Sequence, residues 1–137
     1  MLSAGLYGAD GIILDLEDSV PPAEKDAARI QIGNLTDDFN LLAECDWIIE
    51  VVVENLAVKQ DLLKRIETIR RPGTIVSTNT SGIPLKNMSA ELSEDFRRHF
   101  LGTHFFNPVR YMKLLEIISG EDTLPEIVAF MAAFGEK

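Results

Sequence analysis

The chain has 137 residues, 46% of them hydrophobic and 26% charged, which suits one globular domain with a single core and excludes a disordered or fibrous protein. A formal net charge of −9, with basic residues adjacent only in pairs such as Arg70-Arg71 and Arg97-Arg98 and in no longer run, excludes a nucleic-acid or anionic-membrane partner, because phosphate binding needs clustered Lys and Arg. No apolar run approaches the ~20 residues of a bilayer crossing and the first residues lack the layout of a secretion signal, so no membrane association and a cytoplasmic location are expected.

The apolar period switches repeatedly between strand and helix. Residues 11–16, a short apolar run, predict a strand buried on both faces. Ser19, Pro21-Pro22 and Glu24 then start a helix through about Arg29, followed by a weak strand at 30–32. Thr36-Asp37-Asp38 predicts the cap of a short helix through Glu44, and the single cysteine, Cys45, reads as a small buried hydrophobe. The β-branched run 46–53 is the clearest strand. Leu56, Lys59, Leu62, Leu63, Ile66 and Ile69 fall at helical spacing, and Pro72-Gly73 ends that helix near Arg71. A strand at 74–78, a short helix at 84–91, a strand at 99–106, an extended piece at 112–118 and a helix at 124–134 complete the pattern. Alternating strands and helices with short connections predict an α/β domain built on a mostly parallel sheet covered by helices.

Polar residues cluster where a parallel sheet places its ligand, at the carboxyl ends of strands. They are Glu50-Val-Val-Val-Glu54-Asn55, Ser77-Thr-Asn79-Thr80-Ser81 and His104-Phe-Phe-Asn107-Pro108, joined by Lys59 and Leu114-Leu-Glu116. Taken singly, each has an ordinary structural explanation: Asn and Ser form turns, a histidine can be a satisfied core residue, and Glu116 a solvated acid.

From about Arg29 to Lys137, these motifs together resemble the 3-hydroxyacyl-CoA dehydrogenase family. The resemblance implies a three-layer Rossmann-like sheet with helices on both faces in a single domain. It makes His104 the general base for the substrate hydroxyl, a role suited to a side chain that ordinarily titrates near neutral pH. It makes Glu116 the acid that orients His104, and Ser81 the contact to the substrate oxygen. It places Asn107 on the nicotinamide side, with Glu54 and Lys59 near the cofactor's ribose and nicotinamide.

The family's glycine-rich phosphate turn has no counterpart. Gly5, Gly8 and Gly11 precede the first strand and are spaced G-x-x-G-x-x-G, so no bound cofactor is expected, with NAD the candidate if binding persists. Residues 8–29, with the Asp15-Leu-Glu17-Asp18-Ser-Val run, are instead similar to an early strand and helix of the citrate lyase β-subunit family, a TIM barrel. Asp15, Glu17 and Asp18 read as strand-end acids and a helix start, and no metal site is expected. Together the two resemblances predict an engineered chimera joined near Ala28, ending before the family's helical domain and without competent activity; residual NAD or acyl-CoA binding, or weak dehydrogenase activity, is the alternative. Loss of that helical domain would expose Phe105, Phe106, Val109 and Met112 and favour a homodimer or swapped dimer.

Overall fold

In the computed structural model the described residues are 34–109 and 111–136. The expected strand at 11–16, the helix from Ser19, the strand at 30–32 and the acids Asp15, Glu17 and Asp18 lie outside them.

Asn34 opens the described chain as a turn, its Oδ1 accepting from the N–H groups of Thr36 and Asp37. A 3-10 helix, Phe39–Glu44, follows where a short helix was expected, with Asp38 at its start but making no side-chain cap. Strand β1 is Trp47–Glu50, helix α1 Leu56–Ile69 and strand β2 Ile75–Thr78. Asn55 caps α1 by accepting from the N–H groups of Ala57 and Val58. Gly73, at φ 86°, takes the left-handed conformation that lets the chain turn from α1 into β2. Short helices α2 (Leu85–Ser89) and α3 (Glu94–Arg98) lead to β3 (Phe100–Phe105), then β4 (Leu115–Ser119) and helix α4 (Pro125–Gly135).

Two elements differ from the sequence reading. The strand expected through residue 53 ends at Glu50, because the Val52 N–H turns back to the Glu50 carboxylate at 2.6 Å and Asn55 N–H bonds Val53 O at 2.7 Å. Val51 and Val53 face solvent, Val53 at 67% exposure, while Val52 packs against the core, so local turn bonding overrides β-propensity. Helix α3 was not expected. Ser93 caps it through the Phe96 N–H, acids occupy its first turn, and Arg97 and Arg98 its last.

The four strands lie in the order β1-β2-β3-β4, the first three parallel and β4 antiparallel to β3. Period-two alternation divides the side chains between two faces. Ile48, Val76 and Phe100 enter a core with Leu62, Leu63 and Ile66 of α1, together with Phe39 and Phe96. Trp47, Ile75, Leu101 and Ile117 face the other way, onto Ile127 and Met131 of α4. Helices thus cover both faces of a Rossmann-like sheet, as the resemblance implied. Cys45 is buried as expected. Of the four residues expected to form exposed apolar surface, Met112 is exposed and the other three are half-buried, while Tyr111, Leu114 and Ile118 are exposed beside them.

A close approach secures the β3–β4 pairing. Gly102 faces Ile118 in register, and a Cβ placed on Gly102 would meet the Ile118 Cβ at 3.1 Å. That atom is tied to the backbone and cannot swing aside, so any side chain here must push β4 outward. Gly102→Val is expected to lower stability by about 1–3 kcal/mol, measured by urea unfolding, and Gly102→Ala by less. Equal midpoints for Gly102→Val and the wild type would contradict the tight register.

Candidate active site

The carboxyl ends of β1, β2 and β3 lie side by side, and each carries one of the polar motifs. At the end of β3, the antiparallel register sets His104 directly across from Glu116 of β4. Their side chains leave the same face, and His104 Nδ1 lies 2.8 Å from Glu116 Oε2. Because a carboxylate only accepts, Nδ1 carries the shared proton and Nε2 is left with its lone pair. The ring of Phe106 sits 4.8 Å from the imidazole, centroid to centroid. Asn79, at the end of β2, accepts from the Phe105 N–H at 2.9 Å and joins the two strand ends next to His104.

A second cluster forms where β1 runs out. Lys59 is only 1% exposed, and its Nζ donates to Glu50 Oε1 at 2.8 Å and to Val52 O at 3.0 Å, and pairs with Glu54 Oε2 at 3.4 Å. Glu54 in turn accepts from the Thr80 hydroxyl and, through the same oxygen, from the Gly82 N–H at 3.3 Å. The Thr80 hydroxyl holds the Glu54 carboxyl below the usual carboxylate range, with the Gly82 amide and the Lys59 ammonium adding to it against the opposing pull of partial burial.

The structure therefore brings the expected residues together in two groups, His104 with Glu116 and Glu54 with Lys59. Ser81 is exposed on the loop between Thr80 and Gly82, and Asn107 is exposed after β3, before the cis peptide to Pro108. Neither makes a side-chain hydrogen bond to His104 or Glu54 among the described residues. Lys59 spends its donors inside the protein, on Glu50, Val52 and Glu54.

Glu50, which opens the first polar motif of the sequence but was given no role there, has a side chain with 0% exposure. Its signal was present. Glu50 is a charge inside an apolar strand, and Lys59 a charge inside the apolar stripe of α1, and two misplaced charges of opposite sign are best satisfied by each other.

Residues 15–137 match the family model for the 3-hydroxyacyl-CoA dehydrogenase NAD-binding domain. The chain belongs to this family. A Bacillus subtilis protein described as "Probable 3-hydroxyacyl-CoA dehydrogenase" is 56% identical over 113 residues, covering 82% of this chain and 14% of that protein. A Deinococcus radiodurans protein of the same description is 43% identical over 114 residues, covering 82% of this chain and 33% of its own length. Among solved structures, (S)-3-hydroxybutyryl-CoA dehydrogenase from Ralstonia eutropha superposes with a TM-score of 0.73 at 33% identity, over 85% of this chain and 40% of that one. The chain thus spans well under half the length of these 3-hydroxyacyl-CoA dehydrogenase relatives.

The family match begins at residue 15 and crosses the expected junction near Ala28. It takes in Asp15, Glu17 and Asp18, and leaves the lyase fragment and the chimeric origin without support. Membership of an NAD-binding domain family also favours NAD over the expectation of no cofactor. No described helix is long and apolar enough to cross a membrane.

Two outcomes follow from the second cluster. Since folding lowers the Glu54 pKa, the stability Glu54 supplies is complete above the ordinary carboxylate value of about 4.3 and is lost as pH falls through the lowered one. Glu54→Gln should therefore unfold at lower urea than the wild type at pH 7, and the two curves should converge in strong acid; parallel curves at every pH would refute the coupling. Lys59→Met strands the Glu50 carboxylate in the core and should cost about 3–5 kcal/mol, more than the double variant Glu50→Leu/Lys59→Met. A double variant less stable than Lys59→Met would show that the pair is not what holds this corner together.

Proposed function

We propose that this chain carries the proton-transfer side of a 3-hydroxyacyl-CoA dehydrogenase site together with the nicotinamide and ribose side of its NAD site. The observation that carries the reading is the 2.8 Å contact between His104 Nδ1 and Glu116 Oε2. It fixes the tautomer that a base needs. With Nδ1–H held by Glu116, the lone pair of Nε2 accepts the proton of the substrate hydroxyl, and the adjacent carboxylate stabilises the imidazolium that results.

The residues at the strand ends fit a nicotinamide cofactor on this side. Glu54 is half-exposed and kept ionised by its donors, as an acceptor for ribose hydroxyls requires. Asn107, exposed after β3, offers both a donor and an acceptor for the nicotinamide amide. NAD, when bound, supplies the oxidant for the carbinol carbon. Ser81 offers a hydroxyl to the substrate oxygen and is the third group of the site. Lys59 orders Glu54 from below and stays out of contact with the ligand. The phosphate end of the cofactor has no assigned residues, as the sequence offers no Gly-x-Gly-x-x-Gly turn.

The test is titration of NADH into the purified chain by calorimetry, with acetoacetyl-CoA reduction followed on the same sample. Saturable binding and turnover are expected. His104→Ala should leave binding in place and slow turnover by ~10²–10⁴-fold, with Glu116→Gln falling between it and the wild type. No heat at millimolar cofactor and no turnover would refute the reading.

A further inference from the structure

The roles proposed above leave Glu50 unused, although a carboxylate wholly removed from water needs a reason to be there. Three elements converge on it. Oε1 accepts from the Val52 N–H at 2.6 Å, in the loop after its own strand, and from Lys59 Nζ of α1 at 2.8 Å. Oε2 accepts from the Thr78 hydroxyl of β2 at 2.5 Å.

Lys59 extends this hub outward. Its Val52 O contact means that Val52 is gripped at both its N–H and its carbonyl, which fixes the path of the chain from β1 to Glu54. The same ammonium pairs with Glu54, whose carboxylate accepts from the Thr80 hydroxyl and the Gly82 N–H. Thr80 and Gly82 are the two neighbours of Ser81. The Thr80 hydroxyl also accepts from the Ile83 N–H at 3.2 Å, closing the loop on itself. Glu54 therefore clamps the Ser81 loop on both sides, Lys59 holds the clamp, and Glu50 holds Lys59.

We propose that Glu50 is a positioning residue which, through Lys59 and Glu54, sets the loop of residues 79–83 that presents Ser81. A buried ammonium is tolerated only where a close counter-charge and further acceptors compensate its lost hydration. Glu54 alone, at 3.4 Å and 46% exposed, is a weak substitute for Glu50 at 2.8 Å and 0%. Removing the Glu50 charge thus releases Lys59 from its seat and slackens the clamp. Only the chemical role of Ser81 in this inference rests on the dehydrogenase reading; the setting of its loop does not.

The experiment compares Glu50→Gln and Glu50→Asp with the wild type by NMR, under conditions where each is folded. Met131→Ala serves as a control that lowers stability by opening the core on the opposite face of the sheet. In Glu50→Gln the Gly82 amide resonance and the pH midpoint of the Glu54 carboxyl carbon should both move from their wild-type values. Glu50→Asp should fall between, and Met131→Ala should leave both readings in place. In turnover assays Glu50→Gln should lower kcat/KM for acetoacetyl-CoA reduction by ~10²-fold, the scale of a misplacement of about 1 Å. Loss of unfolding stability in Glu50→Gln with wild-type Gly82 and Glu54 readings would overturn the proposal. Should Glu50→Gln fail to fold, wild-type readings in Glu50→Asp would overturn it equally. If the readings move while not even the wild type turns over, the positioning role stands and the dehydrogenase reading falls.

Discussion

The ion pair of Glu50 and Lys59 is the constraint on which the carboxyl end of the sheet depends. Each charge would be costly to bury alone, and each is made tolerable by the other and by backbone and hydroxyl partners that complete its hydrogen bonding. Because those partners come from β1, α1, β2 and the loop between β1 and α1, the pair converts a local electrostatic requirement into tertiary geometry. It explains why β1 stops where it does. The strand could continue through three valines, but the carboxylate draws the chain back onto itself at Val52.

The second determinant is the register of β3 with β4. A hydrogen-bond ladder, and not a loop, sets His104 across from Glu116, and the bare backbone of Gly102 lets Ile118 close down two residues further along. On the opposite face a quieter polar chain runs beneath α4, the Trp47 indole and the Thr103 hydroxyl both donating to the Ser77 hydroxyl. One face of the sheet therefore gathers its polar residues at the carboxyl ends of the strands, while the other encloses them under a helix.

Much of this was legible in the sequence, for identifiable reasons. The Pro72-Gly73 stop, the period of α1 and the β-branched residues of β2 are local signals, and local signals survive folding. His104, Glu116, Glu54 and Lys59 were found through resemblance of motifs and not through any spacing that periodicity could supply, since a twelve-residue separation says nothing about proximity until the strands are registered. Helix α3 went unread because five residues give too short a period, although Ser93 with two acids after it was a usable cap signal. Glu50 was named among the polar strand-end residues, but its part went unread because its neighbours advertise an ordinary buried strand. The opening residues misled differently: a short distinctive acidic run suggested a foreign unit in a stretch that the family match shares from residue 15.

The pairing of His104 with Glu116 has a further consequence. Side chains on a strand alternate in direction, so sliding β4 by one position would exchange the acid for Leu115 or Ile117 and aim Glu116 at the opposite side of the sheet. No intermediate alignment keeps a weakened contact. The imidazole is therefore either fully supported or flanked by hydrocarbon, and the outer strand behaves as a vernier with a single setting that gives the histidine its acid.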